Sequence, residues 1–174
     1  MNQESNIPDA RLHWKPSSTA LTNGDFISIE AYSGYSMLIA DPKATEYLLE
    51  PEISDKALGD VVLNSLKQSR FLSIEEATEL RINGKENYEN WVKKIMTKYG
   101  YKTKRALFKN MKNCSLDLRN NIILIEPTNH EKLEAWGGDG ISESDYVKIP
   151  ADSPPEAIGK ALRLAFSRCT GMGS

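Results

Sequence analysis

From Tyr146 to Cys169 the order of apolar and polar positions reads as a short strand, a turn and then a helix. Ser153 suits an N-cap, Pro154 the first helical position, and Glu156 completes an S-x-x-E capping box. Ile158, Leu162, Ala165 and Cys169 recur at helical spacing, with Ala161 and Phe166 widening the stripe. Lys160, Arg163, Ser167 and Arg168 fall largely on the other face. Gly171, just beyond, suits a left-handed stop. The same phrase occurs earlier in the chain. Tyr47, Pro51 and Ser54 match Tyr146, Pro150 and Ser153 at one constant offset, and Leu58-Gly59 answers Ile158-Gly159 after one residue of slippage. A glycine inside a helix costs about 1 kcal/mol against alanine, so two at equivalent places point to close backbone packing. The matches fit either an internal duplication or chance.

Elsewhere the pattern is uneven. Residues 1–24 are polar and interrupted by Pro8 and Pro16, and read as an N-terminal arm with little regular structure that Leu12 and Trp14 would pin to the body. Ile27, Ile29 and Ala31 alternate with Ser28 and Glu30, as in a half-buried strand, and Ser33-Gly34 suits a turn into a return strand over residues 35–40. Another short strand follows at residues 47–49, and Ser54 caps a helix whose apolar face is Leu58, Val61, Val62 and Leu66. A capping box at Ser73 and Glu76 opens a short helix that is expected to stop at Asn83-Gly84. Over residues 87–99 the spacing of Tyr88, Trp91, Val92, Ile95, Met96 and Tyr99 predicts an amphipathic helix ended by Gly100. Residues 101–113 fit a strand or a short basic helix. Leu116 and Leu118 then turn through Asn120-Asn121 into an apolar return strand over residues 122–125.

The expected fold is α+β: one mixed or mainly antiparallel sheet of about six strands with helices packed on it, as a single globular domain over residues 1–174. If the echo is a duplication, the sheet divides into two hairpin-strand-helix halves with the 87–99 helix inserted between them.

Composition excludes some classes of function. With 174 residues, 40% hydrophobic and 26% charged, the chain suits one ordinary core. Its net charge is only −2, but Lys93 to Arg119 carries nine Lys/Arg against Asp117 alone, while Pro127 to Ala157 carries seven Asp/Glu against Lys132 and Lys148. Cys114 and Cys169 are too few for a disulfide scaffold and read as buried thiols in a reducing compartment. No apolar signal region precedes residue 18 and no apolar run approaches the ~20 residues of a membrane span, so a cytoplasmic protein without membrane contact is expected.

His13 lies in the polar arm and His130 on an expected loop beside Glu131, but sequence gives neither a catalytic partner, and both are expected to be solvent-exposed bystanders. Zinc-ligand spacing is absent, Gly137-Gly138-Asp139-Gly140 lacks the residues of a phosphate loop, and the acids around it are not at calcium-loop spacing. No enzyme, metal or cofactor is therefore expected. Lys102, Lys104, Arg105, Lys109 and Lys112 lie near Tyr99, Tyr101 and Phe108, but a pI near 5.8 argues against direct nucleic-acid binding. Glu131, Glu134, Trp136, Asp139, Glu143, Asp145 and Tyr146 form an acidic, aromatic-bearing stretch suited to a basic protein partner. A competing reading is a small-ligand-binding domain or enzyme using the Gly-rich loop near His130.

The helices SDKALGDVVLNSLKQSR and SPPEAIGKALRLAFSRC, with ALFKNMKNCSLDLRNNIILIEP between them, resemble those of the immunity proteins of contact-dependent growth inhibition. The resemblance spans about residues 25–170 and rests on structural motifs. It implies a cytosolic, non-enzymatic inhibitor that binds the C-terminal nuclease domain of a cognate toxin and blocks its active site. In some related systems the toxin is an RNase of the pancreatic-ribonuclease type, cationic because it grips phosphates. No contact residues carry over by motif, so the seven acidic-stretch residues rest on charge and expected exposure alone.

Overall fold

The computed structural model describes residues 9–173. In chain order its elements are α1 (Asp9–His13), β1 (Ser17–Thr22), β2 (Ile27–Gly34), β3 (Leu38–Ala40), β4 (Tyr47–Leu49), α2 (Asp55–Gln68), α3 (Ile74–Tyr99), α4 (Lys104–Phe108), β5 (Lys112–Arg119), β6 (Ile122–Pro127), β7 (Asn129–Lys132), β8 (Ala135–Gly137), β9 (Val147–Pro150), α5 (Pro155–Ser167) and β10 (Thr170–Gly171). The main sheet runs β3-β2-β1-β5-β6-β9, with β4 also on β2, and its named pairings are antiparallel. A small second sheet, β10-β7-β8, stands beside it. The fold is α+β, as the sequence predicts.

Strand alternation sets the layers. Ile27, Ile29 and Ala31 of β2 share one face with Ala20, Cys114, Leu116, Ile123 and Ile125, and the apolar stripes of α2 and α5 cover it. The other face of β2, with Ser28, Glu30 and Tyr32, lies under α3. The C-terminal half of α3 is fixed by a second core of Phe26, Val92, Ile95, Leu107, Phe108 and Met111. Ser73 and Glu76 make the predicted capping box, and Gly100 ends α3 in the left-handed conformation at φ 74°.

The repeated phrase corresponds to a repeated unit. In each half a hairpin (β1–β2 or β5–β6) is followed by a strand antiparallel to its second member (β4 or β9), and then by a helix (α2 or α5). Gly59 and Gly159 are each the fifth residue of their helix and meet the first turn of the other. A methyl on Gly59 would stand 2.6 Å from the carbonyl carbon of Pro155, and one on Gly159 2.7 Å from that of Asp55. Arg163 strengthens the contact, donating to Asp55 at 2.8 Å and to the Pro51 carbonyl at 3.0 Å.

Several expectations are corrected. Residues 17–22, expected within an unstructured arm, form β1 at the centre of the sheet. Their small polar residues suit that place because Ser18 shares a buried 2.7 Å hydroxyl contact with Ser65, and Ala20 fits against the core. Trp14 does pack inward, edge-on to Phe71 at 6.1 Å, whereas Leu12 is exposed. Asn83-Gly84 does not end a helix: α3 runs through it unbroken, since caps and buried side chains hold both ends. Its middle, residues 81–90, is largely exposed. Ser153 is not the cap of α5; the helix starts at Pro155 after Pro154, and Glu156 pairs with Lys160 at 3.0 Å instead. Gly171 has φ 94° but belongs to β10 and not to the helix end. The 101–113 ambiguity resolves into both alternatives, α4 and then the start of β5.

Candidate functional site

The acidic stretch folds as the β7–β8 hairpin, a loop, and a 3-10 turn at Glu143–Asp145 that leads into β9. Glu131, Glu134, Asp139 and Glu143 are exposed. Of these, Glu134 accepts from Tyr88 Oη at 2.9 Å and pairs with Lys104 at 3.2 Å, so the basic α4 partly neutralises the acidic hairpin. Asp145 is occupied locally, accepting from the Ser142 backbone N–H at 2.9 Å, and Tyr146 is half-buried. Trp136 faces inward. Its Nε1 donates to the Met111 carbonyl at 2.9 Å, and its ring lies edge-on to Phe108. Charge alone does not distinguish such a tethered indole from an exposed anchor.

His130 is not a solvent-exposed bystander. It is 4% exposed, its ring stacks on Trp136 at 4.8 Å, and Nε2 contacts the Leu133 carbonyl at 2.9 Å. The pairing of β7 with both β8 and β10 encloses it. His13 is exposed at the end of α1. Neither His130 nor the Gly-rich loop lines any of the three best-formed cavities of the described residues. Cys114 and Cys169 are buried with sulfurs 3.6 Å apart, and neither has a histidine partner among the described residues. Burial pushes the Cys114 thiol well up. No group of three or more His, Cys, Asp or Glu among the described residues is placed to hold a metal ion, and no described helix is long and apolar enough to cross a membrane.

The principal cavity, about 630 Å³, lies between α3 and the sheet. Thr19 and Leu21 of β1 and Ser28, Glu30 and Tyr32 of β2 form its sheet side, and Tyr88, Trp91 and Lys94 of α3 its helix side. Trp91 Nε1 donates to Glu46 at 2.7 Å, and Lys94 pairs with the same carboxylate. Tyr88 and Trp91 stack with centroids 6.3 Å apart and planes 19° from parallel. Because Tyr88 also binds Glu134, the acidic hairpin and the cleft wall adjoin. Burial, and secondarily the charge of Glu46, raises the Glu30 carboxyl to about 7 against the pull of Lys94. Sequence reading missed this cleft. Trp91 and Tyr88 were legible as an apolar stripe, but nothing local shows that the polar face of β2 is roofed by a helix.

At the level of class, this is a small α+β protein with a concave, aromatic-walled cleft beside an acidic hairpin. The family model described as CDI immunity protein matches residues 17–169, and the chain belongs to that family. It is 45% identical to the immunity protein CdiI-YPIII of Yersinia pseudotuberculosis serotype O:3 (strain YPIII), over 86% of this chain and 92% of that protein. It also superimposes, with TM-score 0.77 and 39% identity, on a chain of the CdiA-CT/CdiI toxin and immunity complex from Yersinia pseudotuberculosis, covering 88% of this chain and 97% of that one. A second match, a protein of unknown function (NMB0488) from Neisseria meningitidis, has TM-score 0.80 and 33% identity over 90% of this chain and 96% of that one.

Proposed function

We propose that this protein is the cytoplasmic antidote to a toxin of contact-dependent growth inhibition. It binds the C-terminal domain of its cognate toxin, a basic nuclease, and covers the active site. The observation that carries the reading is near full-length similarity to a chain of a toxin and immunity complex. The docking face in this reading is the acidic hairpin with its following loop, Glu131, Glu134, Asp139 and Glu143, continued through Tyr88 to the mouth of the cleft. Asp145, Trp136 and Tyr146 support that face from behind. Its exposed carboxylates compete with nucleic acid for the cationic groups a nuclease uses to hold phosphates. The protein acts by occupancy, without a cofactor, and neither membrane nor nucleic acid is a direct partner.

Co-purification with the toxin domain encoded beside this gene, together with protection of cells expressing that domain, is the test. A stable complex and restored growth are expected. Absence of both would overturn the reading. The competing reading, a ligand site at the Gly-rich loop and His130, is weakened by the burial of the imidazole, which is 4% exposed.

A further inference from the structure

We propose that the cleft beneath α3 receives one arginine side chain of the bound partner, its guanidinium pairing with Glu30 and lying against Trp91. That the partner is a toxin rests on the proposed function; the arginine site rests on the cleft itself. Glu30 belongs to the sheet side of the cavity and accepts no hydrogen bond among the described residues. The other acids are already matched. Asp41 is bound by Arg70 at 2.8 and 3.0 Å and by Ser33 at 2.7 Å, and Glu46 by Trp91 and Lys94. A carboxyl without a counter-ion is therefore left beneath a wall whose two rings are fixed, Trp91 by Glu46 and Tyr88 by Glu134. Guanidinium fits this combination better than ammonium, because it is planar, weakly hydrated and stacks on aromatic faces while binding a carboxylate.

The charged groups around Glu30 do not already supply that cation. β1 contributes Thr19 and Leu21 to the cleft, and β2 adds the neutral Ser28 and Tyr32. The segment after β3 contributes Asp41 and Glu46, both paired. On α3, Lys94 is held by Glu46, while Arg81 and Lys85 are exposed, where solvent and salt weaken their reach. The arriving cation favours the ionised form of Glu30, so binding releases a proton where the free carboxyl is protonated. With the free carboxyl titrating near 7, its ionised fraction rises about tenfold from pH 6 to pH 8, and affinity rises with it.

The experiment uses the full chain with ¹³C-labelled glutamate and two probes, N-acetylarginine amide and its neutral isostere N-acetylcitrulline amide. The arginine probe is expected to lower the Glu30 midpoint by at least one pH unit while the citrulline probe leaves it unchanged. An unmoved midpoint at 100 mM arginine probe, or equal shifts with both, overturns the proposal. In parallel, the neighbouring toxin domain is titrated against wild type and Glu30→Gln at pH 6 and pH 8. Wild type should tighten about tenfold and Glu30→Gln stay flat, consistent with proton linkage. Equal toxin affinity of the two proteins at pH 8 rejects the arginine site but leaves the toxin reading standing. No toxin binding by either, with the arginine probe still shifting Glu30, rejects the toxin reading and leaves the site.

Discussion

Replacing Gly59 with alanine perturbs the helix pair at its closest approach. The new methyl would lie 2.6 Å from the carbonyl carbon of Pro155, and nearer still to its oxygen, where ordinary contact begins at 3.4 Å. The obstacle is backbone in the first turn of α5, so no rotamer change relieves it and the helices must part by about 1 Å. Overpacking costs about 1–3 kcal/mol, and a fixed obstacle places this case at the upper end, offset by about 1 kcal/mol of helix propensity gained with alanine. The expected net loss is about 2 kcal/mol, or about 6 °C in Tm for a chain of this size. Urea and thermal unfolding read it, with Gly84→Ala as the internal control. Gly84 is also helical, but its added methyl meets nothing closer than Ile39 Cδ1 at 3.5 Å, so that variant should gain about 1 kcal/mol. The pair Gly59→Ala and Gly159→Ala should cost less than the sum of the singles, because helices already parted by one methyl accommodate the other. Equal effects of Gly59→Ala and Gly84→Ala would refute the close crossing.

Three further outcomes follow from the charges. Reversing exposed Glu131 and Glu143 to lysine should slow association with the toxin domain about tenfold at low ionic strength and much less at 0.5 M salt, measured by stopped flow; a salt-independent rate would remove the acidic hairpin from the docking face. For Asp41, burial opposes ionisation, but hydrogen bonds from Arg70, Ser33 and the Lys43 N–H outweigh it and hold the carboxyl below its ordinary 3.8. Its contribution is thus complete above about pH 5 and lost as pH falls through the folded value, so Asp41→Asn should cost about 2–3 kcal/mol at pH 6 and progressively less below pH 3.8 in urea titrations. Glu30 has the opposite sign. Its carboxyl, raised from 4.5 to about 7 by burial and Glu46, makes the folded state lose stability as pH rises through that window, and Glu30→Gln should be more stable than wild type by about 3 kcal/mol at pH 8 and equal to it below pH 4.5.

Elements were legible where local chemistry and tertiary demand agree. The Ser54 and Ser73 caps, the Gly100 stop and the Asn120-Asn121 turn all occur where their side chains or positive φ require. The echoed glycines foretold the α2–α5 crossing because only contact with another backbone explains a costly residue twice. Legibility failed where long-range structure decides. β1 is polar in sequence yet central because its hydroxyls find buried partners, and α3 passes Asn83-Gly84 because its two ends are anchored far apart. The same limit applies to the site. Exposure of Glu131, Asp139 and Glu143 follows from their charge, whereas the inward turn of Trp136 and the enclosure of His130 depend on strands that pair across the second sheet. The Glu30 cleft required knowing which helix covers the polar face of β2.

If this protein neutralises its toxin by covering the active site, titrating the purified neighbouring toxin domain with it under a nucleic-acid cleavage assay gives a decisive result. Cleavage should fall linearly to background at one equivalent, with the same stoichiometry in gel filtration. A stable stoichiometric complex that cleaves at the full rate would contradict active-site blocking, and a toxin domain with no nuclease activity alone would contradict the nuclease assignment.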